Sequence, residues 1–491
     1  MRFMTIPRGA AHQMLLVLLG LGAGSGAKAQ SLDAFNPQPS TPPTTVTIQT
    51  DGRILLGGIF TDAITSSLIS IQRLNVDGSA DASLSDPGIN DEIKTIAVQP
   101  DGKILIGGTF DMIGTAAHHY LARLNANGSL DASFVDPQLD NTVWAIAVQP
   151  DGKVLVAGDF LNAGTTARAY LARFSATGTL DSGFANPQLS APARAVVLQA
   201  SGSVLVGGYF LGTVTNNTIG ALARFTSAGV LDATFPVNPS STNVNTVVVA
   251  PDGSIYVGTS YNTTDQTSQR PVAKLSVNGI LDTSYADIHI DSGTSAIALQ
   301  PDGKVVVGGI FQVVDGHARH ALARLNVNGT LDTSFADMQF SFDVADPNGY
   351  VHGLAAQTNG ATIAVGNFTL ANGVARKYAA RVVTADAAIS KLTGVASGAN
   401  VIATWTRTGA GPELAQAPTL MHSNDGVNYT AVAPMTRIAN GWQITAAYNV
   451  AGAPFYLQAV GNTSNGAGSA SPGRTASPVY VSDRIFADGF E

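Results

Sequence analysis

The chain of 491 residues has no cysteine. That excludes disulfides, thiol nucleophiles and Cys-based zinc sites, so stability must come from packing and sheet hydrogen bonds. Charge is scarce too: 12% of residues are Asp, Glu, Lys or Arg, against about 25% in ordinary soluble domains. Glutamate occurs three times, at Glu92, Glu413 and Glu491, which leaves carboxylate chemistry to Asp. The formal charge of −8 with few basic residues disfavours a nucleic-acid partner. No apolar run is long enough to span a bilayer as a helix, and no long stretch has helical periodicity.

What is present begins with MRFMTIPRGAAHQMLLVLLGLGAGSGAKAQ, where Arg2 and Arg8 precede an apolar run from Met14 to Leu21 and then small residues. This pattern reads as a secretory signal peptide over residues 1–29, cut before Gln30. Removing it takes away Arg2, Arg8 and Lys28 and moves the formal charge from −8 to −11. The mature chain is then an exported protein with no transmembrane segment.

A period of about fifty residues follows. The phrase VQPDGKILIGG at Val98–Gly108 recurs as IQTDGRILLGG, VQPDGKVLVAG and LQPDGKVVVGG, and its turn falls at Asp51, Asp101, Asp151, Ser201, Asp252, Asp302 and Asn359. Nine residues after each stands an aromatic: Phe60, Phe110, Phe160, Phe210, Tyr261, Phe311 and Phe368. Each repeat has four short apolar stretches separated by Asp-Gly, a variable loop and Asn-Gly-like turns, the signals of hairpins. The expected fold is all-β, a seven-bladed β-propeller of four-stranded antiparallel blades over residues 30–389. The phrase is not a phosphate loop, because Lys103 is followed by strand-forming Ile-Leu-Ile and not by Ser or Thr opening a helix.

Six repeats place a basic residue eight positions before an Asp: Arg73 and Asp81, Arg123 and Asp131, Arg173 and Asp181, Arg224 and Asp232, Lys274 and Asp282, Arg324 and Asp332. The seventh has Arg381 but Ile389 where the Asp belongs. The missing stretch stands at the mature N-terminus, SLDAFNPQ, a near copy of SLDASFVDPQ at Ser129–Gln138. A chain that begins with an orphan fourth strand and ends with a blade lacking one is expected to close the ring by joining them, with Asp33 beside Arg381. Because such pairs recur in nearly every repeat, they read as blade packing rather than as one active site.

The phrases AVQPDGKILIGGTF and LARLNANGSLDASF, repeated in that order, resemble the bacterial delta-60 repeat across Ser31 to Ile389. That resemblance implies exported or surface proteins with propeller-like arrays and no common activity. The fourth and fifth repeats depart from it with ASGSVLVGGYF and APDGSIYVGTS. Residues 390–475 alternate around Trp405, Tyr429, Trp442 and Tyr456 as a small β-sandwich, similar to a fibronectin type III domain, which implies a spacer or binding module. The tail 476–491, ending IFADGFE, is similar to C-terminal tails of exported proteins of some Gram-negative bacteria. Such a tail is either a sorting signal or an unstructured end.

Function, if localised, is expected where repeats differ. The loop between the second and third strands is the most variable, carrying His118 and His119, Arg168, Asn216, and Asp315, His317 and His320. Trp144, the lone tryptophan of the repeats, is either a stacking platform for a ligand or a filler between blades. The Asx-rich turns lack the regular twelfth-position carboxylate of a calcium loop. No catalytic residue, cofactor or metal site is assigned. The sequence therefore reads as a non-enzymatic binding scaffold for an extracellular glycan or protein. The alternative is a polysaccharide hydrolase or lyase using Asp residues at the propeller mouth.

Overall fold

In the computed structural model the described residues run from 30 to 481, without 62–65, 210–211, 215–216, 220, 237–242, 261–269, 344–345, 347, 385–388, 398–399, 410–412, 415–416, 425–427, 440, 448–454 and 464–472. The leader at 1–29, residues 482–491 of the tail, Phe210, Asn216 and Tyr261 lie outside them. The regular structure is all β-strand. Among the described residues no helix is long and apolar enough to cross a membrane.

Each repeat opens with a strand that reverses at an Asp-Gly, Ser-Gly or Asn-Gly turn. In the second repeat Ile93–Val98 pairs antiparallel with Ile104–Gly108, which pairs with Leu121–Leu124. Gly102 closes the turn, donating its N–H to Gln99 O at 2.9 Å with φ at 85°, where a side chain would strain the backbone. The same order recurs in the sheets that begin at Thr45, Val143, Ala193, Val244 and Thr294.

The blades depart from the expected four strands. Those six sheets are three-stranded, and the fourth stretch contributes a single bridge in each, such as Leu124 to Leu130. The cause is local. After Leu130 the carboxylate of Asp131 accepts the Ser133 N–H at 3.0 Å and the Phe134 N–H bonds to Asp131 O at 3.0 Å, so the chain turns instead of extending the ladder. The last sheet has four strands: Tyr350–Ala356, Thr362–Asn367, Ala379–Val383 and, at its edge, Ser31–Leu32 from the other end of the chain.

Alternation along the strands fills the spaces between sheets. Ile104 and Ile106 join Leu55, Ile93 and Ile96 in one apolar layer, while Leu105 joins Val143, Ile146 and Val156 in the next. Both faces are thus buried, which accounts for the continuous apolar run of the second strand. Glycine ends that strand because its neighbours leave no room: a Cβ on Gly107 would lie 2.4 Å from Val143 Cγ1 and one on Gly108 2.0 Å from Glu92 O. Consecutive first strands lie side by side, and Tyr350–Ala356 lies beside Thr45–Ile48.

The Arg–Asp pairs bind within and between repeats. Arg123 Nε donates to Asp131 Oδ2 at 2.7 Å, its Nη1 reaches Ala176 O of the following repeat at 2.6 Å, and its guanidinium covers Phe134 at 4.9 Å. Arg73 reaches Ala126 O, Arg173 reaches Ser227 O, and Arg224 reaches Val277 O in the same way. The other ion pairs span 2.6 Å for Arg73–Asp81, 2.8 Å for Arg173–Asp181, Arg224–Asp232 and Arg324–Asp332, and 3.4 Å for Lys274–Asp282. Burial works against ionisation of Asp131, but hydrogen bonds from Lys103, Ser133 and Arg123 hold its carboxyl well below the ordinary carboxylate range. At the chain ends Arg381 Nε donates to Asp33 Oδ2 at 2.6 Å and Nη1 to Val76 O at 2.5 Å, over the buried ring of Phe35.

After the repeats, Ile389–Ser397, Asn400–Thr408, Gly441–Ala447 and Thr436–Ile438 form one sheet. Thr419–Ser423, Thr430–Pro434, Phe455–Thr463 and Gly473–Val481 form a second. Trp405 and Trp442 from the first share an apolar cluster with Leu420 and Leu457 from the second. The N–H of Glu413 donates to Leu299 O of the sixth repeat at 3.0 Å.

Candidate functional site at one rim of the repeats

Antiparallel pairing sorts each repeat into two ends. Ile93 pairs with Gly108, so the start of the first strand, the end of the second and the loop that follows share one end, while the Asp-Gly turn lies at the other. At the first of these ends the ladder skips one residue of the first strand in six repeats: Lys94, Trp144, Arg194, Asn245, Ser295 and His352. A bulge of this kind re-aims the side chain of the extra residue. Thr44 holds the matching sequence position in the first repeat. All seven are half-buried while their neighbours on the strand are buried.

These residues touch from one repeat to the next. Thr44 Oγ1 donates to Ile93 O at 2.6 Å. Lys94 Nζ lies 5.2 Å from the Trp144 ring and 2.5 Å from Glu92. The Arg194 guanidinium covers Trp144 at 4.0 Å and Tyr209 at 4.8 Å. Trp144 Nε1 donates to Asp159 Oδ2 at 2.8 Å, and Asp159 faces Arg194 at 3.6 Å. Asn245 Nδ2 donates to Thr294 O at 3.1 Å and its Oδ1 meets Ser260 Oγ at 3.0 Å. Ser295 meets the Tyr350 hydroxyl at 3.1 Å, and Tyr350 stacks edge-on to His352 at 4.2 Å. Burial pushes the His352 imidazole down to about 4, with the charge of Lys94 acting in the same direction against a backbone hydrogen bond at Pro43.

Of the residues singled out in the sequence, Trp144 alone has its side chain in this chain of contacts, and its ring lies against Arg194 and Lys94, outside the apolar clusters between sheets. His119 and His320 are equivalent residues, each held by a carboxylate of its own repeat, Asp136 and Asp337, at 2.6 Å. His118 is buried, which lowers its imidazole from the ordinary value. Arg168 donates to Ala167 O and His317 Nδ1 meets Asp315 O. These loop residues are tied to their own hairpins. Among the described residues no group of three or more His, Asp or Glu is arranged to hold a metal ion.

Sequence reasoning passed over Thr44, Lys94, Arg194, Asn245, Ser295 and His352. The signal was available seven residues before each turn residue, where the seven repeats carry seven different polar or aromatic residues.

Five stretches of the chain, 49–84, 99–134, 149–184, 199–235 and 300–335, match the family described as a domain of unknown function (DUF5122) β-propeller. Five of the seven repeats thus match a β-propeller family. In every matched propeller repeat the match starts at the end of the first strand, so the rim residues fall outside it. Among solved structures the chain is similar to a protein from Lactobacillus plantarum, at 12% identity over 80% of this chain and 99% of that one with a TM-score of 0.37. It is similar to apo AztD from Citrobacter koseri, at 9% identity over 83% and 90% with a TM-score of 0.32. A third is Bacteroides ovatus xyloglucan PUL GH43B, at 13% identity over 87% of each chain with a TM-score of 0.23. Scores this low carry no argument. No curated protein matches the chain.

Proposed function

We propose that the protein is an exported, non-enzymatic binding scaffold: a closed seven-bladed ring of delta-60-like repeats with a fibronectin type III-like sandwich appended, which takes its ligand at the rim. Closure is supported by the Asp33–Arg381 pair, by the seating of Ser31–Leu32 on Ala379–Val383, and by the contact of first and last repeats. The observation that carries the functional reading is the bulge. It is the point in six of the repeats where the frame turns a side chain away from the core, and the six residues there all differ. The ring repeats what holds it together and varies what it presents.

The test is a screen of the mature protein against glycan and peptide panels, repeated with Asn245→Ala and with the loop variant His317→Ala. The expected result is a ligand lost by Asn245→Ala and kept by His317→Ala. The reverse pattern would move the site to the loops. Hydrolysis or lyase cleavage of a bound polysaccharide, abolished by Asp159→Asn, would replace the scaffold reading with the enzymatic one.

A further inference from the structure

The rim carries an arginine, Arg194, whose facing carboxylate stands outside hydrogen-bond range. We infer that Arg194 is a carboxylate-binding residue and that the ligand is an acidic oligosaccharide containing uronic acid; this rests on the rim being the binding surface. The Arg194 guanidinium lies against two aromatic rings, Trp144 at 4.0 Å and Tyr209 at 4.8 Å. A guanidinium set against aromatic rings can still present N–H groups to a carboxylate in two parallel hydrogen bonds.

The carboxylate facing Arg194 does not make those bonds. Asp159 gives Oδ2 to Trp144 Nε1 at 2.8 Å and stands 3.6 Å from Arg194 Nη2, beyond hydrogen-bond range. The Arg194 side chain is 20% exposed and Tyr209 beside it is exposed. Asp159 thus balances the charge and anchors the stack, and Arg194 Nε is left buried without a hydrogen-bond partner.

The surroundings favour a sugar over an apolar peptide. None of the seven rim positions is aliphatic. Thr44, Asn245, Ser295 and the Tyr350 hydroxyl offer the short neutral donors and acceptors that suit sugar hydroxyls, and Trp144 and Tyr209 supply the aromatic component of such sites. Lys94, beside Trp144 and paired with Glu92 at 2.5 Å, stands at the same arc of the rim.

The experiment is calorimetric titration of the mature protein with oligomers of galacturonate, mannuronate and glucuronate, each set against its methyl ester. Esterification removes the charge and keeps the rings. At least one acid form is expected to bind about tenfold or more tightly than its ester, the loss of one charge-assisted pair of hydrogen bonds. Arg194→Gln should weaken the acid more than the ester and remove most of the difference between them. Arg194→Lys, which keeps the charge and loses the fork, should fail likewise, with melting points of both variants near that of the parent. Asn245→Ala should weaken acid and ester alike. Equal binding of acid and ester, or no effect of either Arg194 variant, overturns the carboxylate assignment while leaving the rim as the binding surface. Binding of an acidic peptide but no uronate overturns the ligand class. No oligosaccharide or peptide sensitive to Asn245→Ala overturns both the inference and the rim reading.

Discussion

Replacing Phe35 by Ala tests whether the N-terminal segment completes the ring. Phe35 is fully buried under Arg381, and a Cβ on Gly78 of the first repeat would lie 2.7 Å from its ring, so the side chain fills a space shared by the last repeat and the first. Truncating a buried Phe costs about 3–5 kcal/mol. Unfolding entropy near 2.1 cal/mol/K per residue over roughly 350 residues of ring gives ~0.7 kcal/mol/K, so the midpoint should fall by about 5 °C. Phe134, at 1% exposure beneath Arg123, occupies the equivalent place inside the chain, and Phe134→Ala should cost the same. Differential scanning calorimetry of the two variants is the assay. A Phe35→Ala protein that melts within a degree of the parent, while Phe134→Ala melts several degrees lower, would refute closure by the N-terminal segment. Deleting residues 31–38 should cost more than Phe35→Ala, since it also leaves Arg381 without Asp33.

Two further outcomes follow from the geometry. Gly128→Ala should destabilise by more than about 2 kcal/mol in chemical denaturation, because the new Cβ would lie 2.2 Å from Ser85 O of the preceding repeat; Gly316→Ala, with φ also positive but nothing within 4 Å, should cost about 1 kcal/mol. His352, buried neutral, has its folded value at about 4 against an ordinary 6.5, so the unfolded chain binds the extra proton between these values. Its contribution is therefore complete above pH 6.5 and declines as pH falls toward 4, by about 3 kcal/mol at most, and His352→Gln should flatten that part of a stability–pH curve.

Much of the frame was legible because it is written in repeated local signals. The Asp-Gly turns, the apolar alternation of Ile104, Leu105 and Ile106, and the orphan SLDAF segment each depend on a few adjacent residues. The fourth strand was misjudged because SLDASF alternates like a strand, yet Asp131 turns the chain through its own side-chain oxygen, a competition that a periodicity count does not register. The rim was missed for a different reason. A bulge belongs to the register between two strands, and nothing in Ile93–Val98 alone says which residue the partner will skip. Attention went instead to histidines such as His119 and His320, whose carboxylate partners lie seventeen residues away.

The bulge has a consequence for how such a protein can change. A residue that the ladder skips is not part of the strand pairing, so substitutions at Lys94, Trp144, Arg194, Asn245, Ser295 and His352 leave the turns and the strand ladders in place while altering the side-chain contacts between neighbouring repeats. If the rim binds as proposed, recognition can be rewritten at a handful of addresses, one per repeat, with neighbours in contact such as Trp144 and Arg194 changing together.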